Sequence, residues 1–211
     1  MKNYLTGVVL VCVCLTSLAQ NKTKKYPEPE FANEVTLLKK DSSLMRLEKG
    51  VSNLDTKMKM AGFGGAESGY TLDGEKSTVR IVDGNNLSFI FFTGSSSSSI
   101  NDSVLKANGI NPASYSEMTA SANDPSTRIS LYKVDIEKGK RKIFLQKSGG
   151  SFSKKNQSSE KFSFSVKKIR DGYWELVVDK QLPKGEYAFS MMDMTGSSGA
   201  MGAMLFAFGV D

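Results

Sequence analysis

KFSFSVKKIRDGYWELVVDK, residues Lys161 to Lys180, alternates apolar and polar side chains on both sides of one turn. Phe162, Phe164 and Val166 point one way on the first run, and Trp174, Leu176 and Val178 form the same-parity set on the second. Lysine and serine fill the opposite positions, and Asp171-Gly172 supplies turn chemistry between the runs. A period of two on both arms predicts an antiparallel hairpin with one dry face and one wet face.

The same pattern recurs along the chain. RISLYKVDIEKGKRKIFLQKS, Arg128 to Ser148, reads as a hairpin turning at Lys138-Gly139. STVRIVDGNNLSFIFFTG, Ser77 to Gly94, reads as another, with Val79 and Ile81 across from Leu87, Phe89 and Phe91 around Asp83-Gly84-Asn85-Asn86. EVTLLKKDSSLMRLEK, Glu34 to Lys49, gives two short strands around a KKDSS turn, with Val35, Leu37, Leu44 and Leu47 inward. The segment Gly50 to Ser77 is glycine-rich and has no sustained period. Its GFGGAESG run misplaces the third glycine of a dinucleotide-binding fingerprint and reads as a turn or loop. The methionine-rich C-terminus alternates in GEYAFSMM and AMLFAFGV on either side of TGSSG. That break leaves less than the ~20 apolar residues of a membrane helix, so the tail reads as a last hairpin with methionines filling irregular space at its tip.

Between these hairpins the composition shifts. Gly94 to Thr127 is serine-rich and polar and reads as a loop-rich insertion. Only SVLKANG within it suggests a helical turn, capped by Asp102 and stopped by Gly109. Short strands, glycine turns and almost no helix predict an all-β fold, an antiparallel sandwich of immunoglobulin-like or related type, built from hairpins over residues 34–211.

The N-terminus points to export. Lys2 precedes an apolar run from Leu5 to Leu15, and Ser17-Leu18-Ala19 places small residues at the positions a signal peptidase reads. Cleavage after Ala19 leaves residues 20–33 as an extended leader, whose KTKKYP patch reads as exposed. Cys12 and Cys14 both fall in the signal, so the mature chain enters an oxidising compartment with no cysteine. Removing Lys2 leaves 27 basic against 22 acidic side chains, a net charge of +5. That mild excess is spread along the chain with no basic run interleaved with aromatics, so nucleic acid is not an expected partner. No membrane span is expected after cleavage. An outer-membrane barrel is the weaker alternative, because its strands need ~10 residues with an apolar outer band.

There is no histidine in the chain. This removes Ser-His-Asp and Cys-His nucleophiles and histidine-based metal sites. Carboxylate chemistry, a Ser-Lys pair or oxygen-bound calcium remain. No S-x-x-K occurs with its companion motifs, and Asp83-Gly84-Asn85 is too short for a calcium loop. No cofactor is expected. Glu175 and Asp179 illustrate the carboxylate pairs available for glycoside chemistry, but as strand-face charges they read as solvated.

Leu182-Pro183-Lys184-Gly185-Glu186-Tyr187 has the shape of the tyrosine corner of immunoglobulin-like sandwiches, with Leu182, Gly185 and Tyr187 as the structural corner. Trp174 on the preceding strand would supply a large buried anchor. With YPEPEFANEV, RISLYKV, GKRKI, YWELVVDKQLPKGEYAF and FAFGVD, the chain resembles secreted proteins of Bacteroidetes-type bacteria in which no member has a characterised activity. The resemblance implies export and a sandwich-like fold, and it transfers no catalytic residue.

Two functions from different classes therefore stand. One is a non-enzymatic exported module for binding, adhesion or an accessory role at the periplasm, cell surface or cell exterior, with a protein or glycan ligand. The other is a carboxylate-based hydrolase acting on glycans. Tyr70, Tyr115 and Tyr173, beside turn signals or in the loop-rich segment, are candidate ligand-binding aromatics, with rim packing of the core as the alternative for each. Met58, Met60 and Phe63 read as a soft patch or a satellite core. Asp102-Ser103-Val104 resembles an O-glycan acceptor pattern, with Ser103 as the acceptor.

Overall fold

The computed structural model describes residues 26–58, 65–94, 101–149, 156–193 and 202–211. The expected signal peptide, the leader before Tyr26, Met60, Phe63 and the TGSSG turn lie outside the described residues. The first half of the chain forms β1 (Glu34–Leu38), β2 (Leu44–Arg46), β3 (Glu48–Asn53), β4 (Asp55–Met58), β5 (Ala66–Asp73), β6 (Arg80–Ile81) and β7 (Ser88–Phe92). Helices α1 (Asp102–Ala107), α2 (Pro112–Asn123) and α3 (Pro125–Arg128) follow. The second half forms β8 (Ile129–Lys133), β9 (Asp135–Glu137), β10 (Lys140–Ser148), β11 (Asn156–Gln157), β12 (Lys161–Phe162), β13 (Phe164–Arg170), β14 (Tyr173–Val178), β15 (Gly185–Asp193) and β16 (Gly202–Val210).

These strands build three open sheets, and the fold is all-β and sandwich-like. The first outer sheet runs β13-β14-β7-β1-β2. The central sheet runs β12-β8-β15-β16-β3, and β6 pairs with β16 in parallel. The second outer sheet runs β11-β10-β5-β4, with β9 also on β10. All other pairings among named strands are antiparallel.

The central sheet is covered on both faces, and its side chains divide by parity. Tyr187, Phe189 and Met191 stand opposite Phe208, Phe206 and Met204 and meet Val35, Leu37, Phe89, Phe91, Leu176 and Val178 of the first outer sheet. Ala188, Ala203, Leu205 and Ala207 face the other way, against Tyr70, Leu72 and Ile143. The second face is built from small residues, so the layers approach closely: a Cβ on Gly50 would lie 2.3 Å from Leu72 Cδ2. The C-terminal run is therefore the interior of the fold, and its methionines divide: Met191 is fully buried and Met192 is exposed.

The Lys161–Lys180 stretch forms its hairpin, β13 with β14, around Asp171-Gly172, where Gly172 takes the left-handed conformation (φ 68°) that a side chain disfavours. Phe162, however, sits on β12 in the central sheet. The first strand pair also forms around Lys39–Ser43, with Val35, Leu37 and Leu47 buried and Leu44 half-buried.

Two expected hairpins are not hairpins. Arg80–Ile81 joins the central sheet beside β16, while Ser88–Phe92 lies between β1 and β14 in the first outer sheet. The Asp83–Asn86 turn carries the chain across the core, and Asp83 Oδ1 accepts from Asn85 N at 2.9 Å within it. Apolar alternation reports the face a side chain takes and not the strand it pairs with, so Ile81, Leu87, Phe89 and Phe91 share one core from two sheets. Likewise β8 belongs to the central sheet and β9 to the second outer sheet, so only β9 and the start of β10 pair across Lys138-Gly139. There the two turn residues are both left-handed, φ 53° and 76°.

The expected loop at 94–127 carries three helices, with Leu105 buried and Asn101 rather than Asp102 as the first cap. The glycine-rich segment Gly50 to Ser77 holds three strands in part or whole. Deleting Ala203 to Asp211 removes the strand that pairs with β15, β3 and β6. The truncated chain is expected to lose its cooperative thermal unfolding transition by circular dichroism, whereas the full chain retains one.

Candidate functional site

The expected ligand-binding tyrosines do not form a surface. Tyr70 lies in mid-strand on β5 opposite Ile143, inside the core between the central and second outer sheets. Tyr173 opens β14 and is 1% exposed on the far side of the first outer sheet. Tyr115 is half-buried on α2. Of the soft patch, Met58 is exposed at the edge of the second outer sheet. Ser103 is exposed in the first turn of α1, where its backbone N–H donates to Asn101 Oδ1 at 3.0 Å.

Leu182, Gly185 and Tyr187, expected as a structural corner, lie at the entry to β15. Leu182 is buried and Tyr187 Oη donates to the Pro183 carbonyl at 2.7 Å. The Tyr187 ring stacks on Phe208 at 5.6 Å and meets Phe162 edge-on at 5.5 Å. Burial, followed by the charge of Glu160, pushes the Tyr187 phenol up to about 12.

Tyr173 is covered by the leader. Its hydroxyl donates to the Pro27 carbonyl at 2.5 Å, and Tyr26 meets its ring edge-on at 6.2 Å. Tyr26 Oη in turn donates to Glu175 at 2.7 Å, and Arg170 pairs with Glu28. The leader from Tyr26 onward is thus a strap across the sheet and not a free arm. Glu175, expected as a solvated strand-face charge, is 3% exposed beneath it and also accepts from Ser88 Oγ at 2.5 Å. Asp179 is exposed and accepts from Ser165 Oγ at 2.6 Å, so the pair does not face across a cleft. Burial first and the Glu175 bond second push the Tyr26 phenol up to about 12, and burial then the Glu28 charge do the same at Tyr173.

Buried Glu34 and Glu186 and half-buried Glu48 also have structural bonds. Glu34 accepts from Arg46 and Lys49. Arg141, 2% exposed, pairs with Glu48 and donates to the carbonyls of Asp73 and Gly74. Against the cost of burial, bonds from Arg141, Ser77 and Thr78 hold the Glu48 carboxyl below its usual range. Glu186 accepts from Ser77 N at 2.8 Å and from Arg80, which also holds the Asp211 carboxyl below its ordinary range.

A roomy concavity lies where the chain leaves the central sheet for the second outer one. This open cleft of about 600 Å³ is lined by Lys133, Asp135, Lys147, Gln157, Ser158 and Glu160 over a floor of Val134, Phe144 and Ser159. Its walls are pinned. Buried Ser159 accepts from Phe144 N at 2.9 Å and donates to Asp135 Oδ2 at 2.6 Å, and Ser159 N donates to the Phe144 carbonyl at 2.8 Å. Lys133 N donates to the Glu160 carbonyl and Val134 N to that of Glu186, both at 2.8 Å. Lys147 and Lys142 lie over the Phe144 ring, 4.3 and 5.6 Å from its centroid, and both reach Glu137. The Glu137 bond, more than burial opposes it, raises the Lys142 ammonium above its ordinary pKa, so that side chain stays a cation.

The sequence carries one signal of this cleft. In ISLYKVDI the apolar parity moves from Ile129 and Leu131 to Tyr132, Val134 and Ile136, which is the step from one sheet to the next. Among the described residues no group of three or more acidic side chains is placed to hold a metal, and no helix is long and apolar enough to cross a membrane. Comparison with protein-family models, with curated proteins and with solved structures finds no match.

Tyr26, Tyr173 and Tyr187 are protonated in the fold up to about 12, while an unfolded tyrosine titrates near 10.0. The folded state therefore has its full stability from this source below about pH 10, and loses it as pH rises from about 10 to about 12. Urea unfolding across that range is expected to show the decline, and Tyr26→Phe is expected to make it shallower.

Proposed function

We propose that this chain is an exported, non-enzymatic binding module with an immunoglobulin-like corner, working at the periplasm or cell surface in an adhesion or accessory role, and that the pinned cleft is where it meets its ligand. The observation that carries this reading is the contrast between buried and exposed polar groups. Glu34, Glu48, Glu175 and Glu186 are bound into the structure, whereas the cleft side chains Asp135, Gln157, Ser158 and Glu160 are exposed on a fixed frame. Recognition needs presented groups on rigid elements, and that frame supplies them. Export is supported by the signal-like N-terminus, which also matches the resemblance to secreted proteins.

A second reading rests on Asp135 and Glu160, which line the same cleft. A hydrolase acting on glycans would use such a pair, one as acid and one as base or nucleophile. In that case the purified chain would release reducing ends from a polysaccharide, and Glu160→Gln would stop it.

The mature chain, immobilised and exposed to envelope extract, is expected to retain a glycan or protein that a cleft variant, Lys147→Ala with Gln157→Ala, does not. Retention unchanged by the variant would place binding elsewhere. The intact mass of the exported protein is expected to match residues 20–211 with added hexose, and Ser103→Ala is expected to remove the addition. An unmodified mass would exclude the glycan at Ser103.

A further inference from the structure

We infer that the cleft at the β8–β9 crossing takes a neutral oligosaccharide, read by side chains alone. The inference rests on the binding-module reading above and adds the ligand class. Four features of the cleft separate the candidate ligand chemistries.

The backbone comes first. A peptide docking by strand addition needs unpaired N–H and C=O groups along a sheet edge. Here the N–H groups of Lys133, Val134, Phe144 and Ser159 are all taken, as are the carbonyls of Phe144 and Glu160. These groups of the frame are therefore closed to strand addition.

Charge comes second. Lys133 and Lys147 are matched by Asp135 and Glu160, so the lining has no formal excess to attract a polyanion. The apolar content is third. Only Val134 and Phe144 supply apolar surface, and both are buried, at 6% and 7% exposure, with Lys147 over the ring. A lipid chain or an apolar side-chain anchor would find no wall to desolvate against.

The polar groups that remain are the fourth feature. Asp135 is a carboxylate acceptor fixed by Ser159, Lys147 is an ammonium donor steadied by Glu137 and Phe144, and Gln157 and Ser158 offer both donor and acceptor functions. Closely spaced donors and acceptors of balanced charge are what vicinal hydroxyls require. A volume of about 600 Å³ admits a short oligosaccharide and lies within the usual range for small-ligand sites. Because Asp135 is already held, less ordering is lost on binding than for a free side chain.

The test uses the mature chain in native gels containing laminarin, starch, galactomannan or mannan, with polygalacturonate as the acidic comparator. Retardation is expected in at least one neutral gel and is expected to persist at physiological salt. Asp135→Asn keeps the shape and the Ser159 contact, and Gln157→Ala changes an exposed side chain. Each is expected to weaken binding about tenfold, the loss of one charge-assisted or well-placed hydrogen bond. A melting temperature equal to that of the parent shows that each variant is folded, and Gln157→Ala keeps the test valid if the Asp135 variant is not. No retardation in any neutral gel overturns the inference. So does retardation by polygalacturonate alone, or neutral binding that both variants leave unchanged. A protein or acidic glycan captured from envelope extract through Lys147 and Gln157, with no neutral gel retarding the chain, would overturn the sugar class but keep the binding module, whereas no capture together with no retardation in any gel would overturn both.

Discussion

Tyr187, Phe189, Phe206 and Phe208 interlock on one face of a strand pair whose other face holds alanine, serine and leucine. Phe89 from the first outer sheet enters this group edge-on to Phe189 at 4.8 Å and tilted to Phe208 at 5.2 Å. Each such ring pair adds ~0.5–1.5 kcal/mol beyond the area it buries. The asymmetry of the two faces fixes the order of the layers. Large rings require a thick core and a partner sheet with its own rings, which β7 supplies. Small side chains leave room only for a close sheet, which β5 and β10 supply with Tyr70, Leu72 and Ile143. A strand pair buried on both faces cannot lie at the surface, so the C-terminal hairpin must be central, and the other strands are arranged around it.

Burying the centre so completely moves polar chemistry to the seams. One arginine-centred contact joins two sheets and two more brace strands within a sheet. Arg141 ties β10 to Glu48 at the start of β3, Arg80 ties β6 to Glu186 on β15 and to Asp211, and Arg46 ties β2 to Glu34 on β1. Planar guanidinium groups suit these positions, because they satisfy two acceptors at once where a layer edge meets water. The leader closes the remaining gap, covering Glu175 and Tyr173 on the outside of the first sheet. These groups serve the architecture. The polar side chains left for recognition are those that these contacts do not use.

The sequence disclosed most where one face is wet or one turn is compulsory. Lys161–Lys180 showed its hairpin because lysine and serine mark the outer face of β13 and Gly172 marks the turn. Tyr187 was legible as a strand-entry residue beside Pro183 and Gly185, and its hydroxyl bonds to the Pro183 carbonyl. Strand partnership was not legible. Ile81 and Phe89 carry the right parity for a hairpin, but the core they share is made by two sheets. Tyr70 and Tyr173 read as loop residues because glycines flank them, yet Gly69 lies in a strand that turns Tyr70 into the core, and Gly172 ends a tight turn that sets Tyr173 on the outer face beneath the leader. The sequence of α2 carries no apolar stripe, so no periodicity announces it.

The cleft follows from the same layering. A chain that supplies strands to adjacent layers must step between them, and at Val134 it does so within one residue of β8. The step opens the mouth between the central and second outer sheets, and Ser159 is anchored to the second outer sheet there by bonding both Phe144 on β10 and Asp135 on β9. At this crossing the backbone of Lys133, Val134 and Ser159 is used in holding the strands together and Val134 enters the core, while Asp135, Gln157, Ser158 and Glu160 stay exposed. Such a place is rigid in its frame and exposed in its chemistry, which is the combination that binding by side chains needs.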